Sequence, residues 1–80
     1  MKVDILTFGI TKQIIGKTIL TIEVPDLFTV QQLKTQLEVD FPKLKTLGSL
    51  HIAVNNDYAE KDQILKAGDE IALIPPVSGG

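Results

Sequence analysis

Eighty residues carry 8 basic and 10 acidic side chains, a formal net charge of -2, 44% hydrophobic residues and no cysteine. These totals point to one domain with a modest core and exclude disulfides, thiolate metal sites and cysteine nucleophiles. Every basic residue is a lysine and the lysines are scattered, so the clustered positive charge of a nucleic-acid binder is missing.

Lys2–Phe8 (KVDILTF) is β-branched and apolar and predicts a strand, with Val3, Ile5 and Thr7 on one face and Asp4, Leu6 and Phe8 on the other. Gly9–Gly16 (GITKQIIG) is bracketed by glycines and is long enough for only one or two helical turns. Thr18–Val24 (TILTIEV) alternates as a second strand, with Leu20, Ile22 and Val24 on one side, and Pro25-Asp26 breaks it. Thr29–Phe41 is the one substantial helix. Thr29 and Gln32 have capping-box spacing, Val30, Leu33, Leu37 and Phe41 form an apolar stripe, and Pro42 is its stop.

Leu50–Val54 (LHIAV) predicts a strand with Leu50, Ile52 and Val54 inward, followed by an Asn55-Asn56-Asp57 turn. A short strand is expected at Tyr58-Ala59 and a single turn at Gln63–Leu65. Gly68-Asp69 then turns the chain into a last strand, Glu70–Ile74. One helix covers only one face of a mixed sheet, so the fold class is α+β. With the first and last strands adjacent it becomes the β-grasp. The expected organisation is a β-grasp domain over residues 1–74 and a tail over 75–80.

The tail, PPVSGG, is where the chemistry gathers. Pro75-Pro76 ends the sheet and keeps the backbone stiff and extended. The six residues from Pro75 reach about 20 Å at full extension. Gly79 and Gly80 lack side chains, so they fit a channel too narrow for other residues. The product is a stiff arm with a thin tip and a carboxylate. Adenylation by ATP makes such a carboxylate an electrophile, and a sulfur donor then converts it to a thiocarboxylate, whose sulfur is nucleophilic near neutral pH.

GDEIALIPPVSGG at the end, MKVDILTF at the start and TVQQLKTQL between them resemble the small-subunit family of molybdopterin synthase, the MoaD family of β-grasp sulfur carriers. The resemblance spans the chain and is most specific over Gly68–Gly80. It implies that Gly80 is adenylated by an E1-like, MoeB-type enzyme that uses ATP, and then carries the thiocarboxylate. It further implies that Pro75, Pro76, Val77, Ser78 and Gly79 enter the active site of a MoaE-like large subunit. There sulfur passes to cyclic pyranopterin monophosphate (precursor Z), in an assembly of two small and two large subunits. The chain itself would bind no cofactor and no metal and supply no catalytic group beyond the sulfur.

The remaining residues fit this non-catalytic role. His51, the single histidine, is expected at an outward strand position as a surface residue. Asp57, Glu60 and Asp62 lack calcium-loop spacing, and Gly9 and Gly16 do not make a phosphate loop. Strand parity sets Leu6, Phe8, Ala53, Ala72 and Ile74 on the face opposite the helix, with Tyr58 beside them. The resemblance implies docking through that face, with Phe8, Tyr58 and Ile74 as contacts and Lys12 at the rim. Carriers for thiamin or tRNA thiolation share the same activation chemistry. A ubiquitin-like modifier that forms isopeptide bonds and a passive interaction domain are further alternatives. The lack of cysteine, an N-terminus unlike a secretory leader and the lack of a membrane-length apolar run make a cytoplasmic protein without nucleic-acid or membrane partners the expectation.

Overall fold

A computed structural model of the chain describes residues 1–76. Its elements follow in the order β1 (Lys2–Thr7), α1 (Gly9–Ile15), β2 (Ile19–Glu23), α2 (Val30–Asp40), a 3-10 helix (Pro42–Thr46), β3 (His51–Val54), β4 (Asp57–Tyr58) and β5 (Glu70–Ile74). The strands form one mixed sheet in the order β2-β1-β5-β3-β4. β1 and β5 run parallel, Ile5 beside Ile71, and the other pairings are antiparallel. This is the β-grasp arrangement, in which the first and last strands meet at the centre.

Strand alternation decides which side is buried. Val3, Ile5 and Thr7 of β1, Ile71 and Leu73 of β5, and Ile52 and Val54 of β3 are buried. They meet Val30, Leu33 and Leu37 of α2, Leu44 of the 3-10 helix and Ile15 of α1 in one apolar cluster. β2, at the sheet's edge, contributes Leu20 and Ile22 only in part.

α2 starts where the sequence places its cap. The Gln32 N–H donates to Thr29 Oγ1 at 3.1 Å and the Thr29 N–H donates to Gln32 Oε1 at 2.8 Å, so two orphan amides are satisfied reciprocally. The next two amides are also occupied, Val30 N–H by the Gln63 carbonyl and Gln31 N–H by the Lys61 carbonyl. That pairing holds the segment after β4 against the start of α2.

Gly9–Ile15 forms the two helical turns that its length allows, and three later segments differ from the sequence expectation. Gly9 takes φ +53 and turns the chain off β1, the Phe8 N–H donates to Thr11 Oγ1 at 2.9 Å, and Gly16 at φ +84 closes the helix with its N–H on the Lys12 carbonyl. Pro42 ends α2 and also opens the 3-10 helix as its first residue, which carries Leu44 into the core. The short strand is Asp57–Tyr58 rather than Tyr58-Ala59. It follows a two-residue turn in which Asn55 and Asn56 have φ 53 and 73, both left-handed as a type I′ hairpin needs. Near Gln63–Leu65, the turn lies instead at Lys61-Asp62, and Ile64 bridges Thr29.

Thr29→Ala removes one half of the capping box. It should lower stability by about 1 kcal/mol and the thermal midpoint by about 4–8 °C, measured by circular dichroism melting, without changing the folded spectrum.

Candidate functional site

β1 and β5 end together. Thr7 sits beside Leu73 in the parallel ladder, and each chain then leaves the sheet, β1 into Phe8 and Gly9, β5 into Ile74 and Pro75. Pro75 seats over the β1–α1 junction: a methyl placed on Gly9 would lie 3.6 Å from Pro75 Cγ, ordinary contact distance. Pro75 and Pro76 are partly buried, so the root of the tail is packed rather than loose. Of the predicted tail, Val77, Ser78, Gly79 and Gly80 lie outside the described residues.

The helices all pack on one side, and among the described residues nothing covers the opposite side of the sheet. A groove of about 400 Å³ crosses it, lined by Leu6, Phe8, Ala53, Tyr58, Ala72 and Ile74, with Asn56 and Glu70 at its far end. Its shape follows from residue size. Ala53 and Ala72 are direct cross-strand neighbours and make a low floor, while Leu6 and Tyr58 stand higher on either side. Ala53 is 8% exposed because its small side chain lies below that rim. Phe8 is 48% and Tyr58 72% exposed, large apolar surface for a chain of this size.

The structure therefore brings Phe8, Tyr58 and Ile74 into one groove beside the root of the tail. Lys12 stands apart, exposed on α1 and outside the groove lining; the charged lining residue is Glu70. His51 was expected only as surface. It is exposed, pairs with Ile74 across β3 and β5, and has its ring centroid 5.4 Å from that of Tyr58.

No group of three His, Cys, Asp or Glu residues among those described could hold a metal ion. Nor does any buried side-chain nitrogen or oxygen among them lack a hydrogen-bond partner. No helix among the described residues is long and apolar enough to cross a membrane. The site is thus an apolar groove next to a chain exit, with no metal-ligand group among the described residues.

The ThiS family model matches residues 5–80. The chain belongs to the ThiS family. The molybdopterin synthase sulfur carrier subunit of Dictyostelium discoideum is 42% identical over 80 residues, which cover 95% of this chain and 93% of that relative. Among solved structures, the protein–protein complex of subunits 1 and 2 of molybdopterin-converting factor from Helicobacter pylori has a chain 32% identical, covering 100% of both chains with a TM-score of 0.68. SAMP1 from Haloferax volcanii is 26% identical, with a TM-score of 0.83 over 100% of both chains. The family match runs from residue 5 through residue 80, so it spans the groove residues and the tail sequence together.

The two faces predict opposite outcomes for one substitution. Phe8→Asp should keep stability within about 0.5 kcal/mol of the parent, since it changes a half-exposed side chain. Ile52→Asp places a carboxylate in the core and should unfold the domain. Urea titration followed by circular dichroism distinguishes them; the reverse result would invert the assignment of faces.

Proposed function

We propose that this ThiS-family chain is the sulfur-carrier subunit of molybdopterin synthase, and that Gly80 carries the sulfur. The observation that carries the reading is the exit of the central strand. β5 ends at Ile74 in two prolines, beside an apolar groove, with Val-Ser-Gly-Gly following in sequence. A rigid body with a docking face at the root of a thin arm is what delivery of a reactive terminus into another protein's active site requires.

The chemistry proceeds in three transfers. A Gly80 carboxylate oxygen attacks the α-phosphorus of ATP in an E1-like, MoeB-type enzyme, expelling pyrophosphate and leaving an acyl-adenylate. Sulfide-level sulfur from a donor attacks that acyl carbon, AMP and a proton depart, and a thiocarboxylate remains. Its sulfur then forms a C–S bond to cyclic pyranopterin monophosphate in the large subunit as a C–O bond there breaks and the oxygen leaves. Water cleaves the acyl–sulfur link, which leaves the sulfur on the pterin and returns the Gly80 carboxylate. Glycine at the last two positions leaves the acyl carbon uncrowded at each displacement. ATP is the activating enzyme's cosubstrate. The chain supplies shape, reach and the sulfur, while acid-base groups come from its partner.

The large subunit is of the MoaE type, in an assembly of two small and two large subunits. The Helicobacter pylori complex of subunits 1 and 2 supports a two-subunit enzyme. Phe8, Tyr58 and Ile74 form the docking contact, Lys12 adds a peripheral charge, and Pro75, Pro76, Val77, Ser78 and Gly79 form the inserted arm. The likeness to SAMP1, of the small archaeal modifier proteins, favours a second reading, in which the activated glycine is passed to a lysine amine as an isopeptide.

Intact mass spectrometry separates the two. Protein isolated from its own cells should contain a fraction heavier by one sulfur-for-oxygen exchange, confined to a C-terminal fragment. Carboxylate alone, even after incubation with the activating enzyme, ATP and a sulfur donor, would sink the carrier reading, and isopeptide-linked adducts as the main product would favour the modifier. Gly80→Val should fold with an unchanged thermal midpoint yet lose at least about 100-fold in adenylation or sulfur transfer, the order by which small misplacements at a reacting centre slow reactions.

A further inference from the structure

The bare face of the sheet is arranged in rows, and the rows differ in chemistry. Cross-strand register sets Ile19, Leu6, Ala72, Ala53 and Tyr58 side by side, one from each strand. The row nearer the tail contains the Ile74–His51 pair. On the other side of the apolar row come Thr21, Asp4 and Glu70, again as direct neighbours. Alternation with buried Ile5 and Ile71 turns both carboxylates to the bare face. A second depression of about 240 Å³ opens there and shares Leu6 and Glu70 with the apolar groove, so the two are continuous.

Adjacent like charges on one sheet face oppose pairing of the strands that carry them. Asp4 and Glu70 stand on the two central strands, where such repulsion is least affordable. No lysine among the described residues pairs with either; the ion pair present is between the Met1 ammonium and Glu23, at 3.6 Å. Lys2, two residues along β1 from Asp4, stands opposite Glu23. Asp4 accepts a hydrogen bond from the Thr21 hydroxyl at 2.7 Å, and the nearby Asp69 carboxylate is held by Asn55 Nδ2 and the Lys66 N–H. The Glu70 N–H is fixed by Asn55 Oδ1 at 3.0 Å, which anchors its backbone at the groove's end.

We propose that the docking face has two parts: an apolar saddle at Ala53 and Ala72, and an acidic step at Asp4 and Glu70 that takes a lysine or arginine from the large subunit. The inference rests on the reading of this chain as the small subunit of that pair. Glu70 and Ile74 are four residues apart on one strand, so the partner's cation lies about 13 Å from the point where the tail leaves the sheet, on the side away from the tail. Covering the saddle removes water from around the acidic step, which strengthens attraction to a cation and makes a partner without one costly to bind. The acidic step therefore fixes the direction of docking and, with it, the direction in which the tail points.

The test is Asp4→Asn combined with Glu70→Gln in the full chain, titrated calorimetrically against the large subunit from the same cells at low and at several-fold higher salt. Wild-type affinity should fall as salt rises. The double variant should bind about tenfold more weakly at low salt and lose most of that salt dependence, while its thermal midpoint stays level or rises because a repulsive pair is gone. Equal affinity and equal salt dependence in the two proteins would overturn the acidic step while leaving docking intact. A lower midpoint would overturn it too, by showing that the carboxylates serve the fold. Wild-type protein that fails to bind the large subunit at any salt would overturn the functional reading itself, and this inference with it.

Discussion

The parallel pairing of β1 with β5 is the constraint from which the rest follows. Parallel neighbours cannot be joined by a tight turn, so the whole intervening chain must cross over between them. That crossover carries α1, α2 and the 3-10 helix, and all of them deposit their apolar residues on one side of the sheet. Ile5 and Ile71, partners in this ladder, have no exposed surface. Parallel strands also end at the same edge. For that reason Phe8 and Pro75 leave the sheet side by side, and the groove, the tail root and the first helix meet at one place.

A single helical layer leaves half of the sheet uncovered, and the sequence does not make that half uniformly polar. Lys2, Asp4 and Glu70 occupy one end, Phe8 and Ile74 the other, with two alanines between. For a free monomer, an apolar end beside a chain exit is surface exposed to water for no return. For a carrier that meets an activating enzyme and then a sulfur acceptor, the same surface is reusable. On the proposed function, each partner would cover the groove and receive the tail from the same root. Alanines suit this use, since a low floor admits different protruding side chains without rearrangement of the backbone.

Most of the fold was legible because alternation and capping are local signals. The boundary of α2 follows from Thr29, Gln32 and Pro42, and the parity of β1, β3 and β5 follows from their own residues. Only the neighbour relation of β1 and β5 had to be supplied. Less was legible where stability comes from elsewhere in the chain. Gly9–Ile15 has little helical propensity at its glycine start, and it forms because Thr11 and Ile15 find buried places against β1 and the core. The 3-10 helix was hidden by Pro42, which signals the end of one helix and the start of the next with equal force. The members of the groove were recoverable from strand parity, but its acidic end was not, since Asp4 and Glu70 lie 66 positions apart and become neighbours only through the parallel register.

The two buried polar side chains among the described residues are also explained by the tail. Thr7 and Thr11 are 2% and 0% exposed. The Thr7 hydroxyl donates to the carbonyls of Lys17 and Thr18, which ties the end of β1 to the entry of β2. The Thr11 hydroxyl donates to the Phe8 carbonyl at 2.6 Å and accepts from the Phe8 N–H, which locks the turn from strand into helix. Buried hydroxyls in an 80-residue domain add less than apolar side chains of the same volume would, unless geometry matters more than burial. Here the geometry they fix is the Phe8–Gly9 corner on which Pro75 rests. The polar bonds of the core thus lie where Pro75 leaves the sheet, and the folded domain sets the described root of the tail.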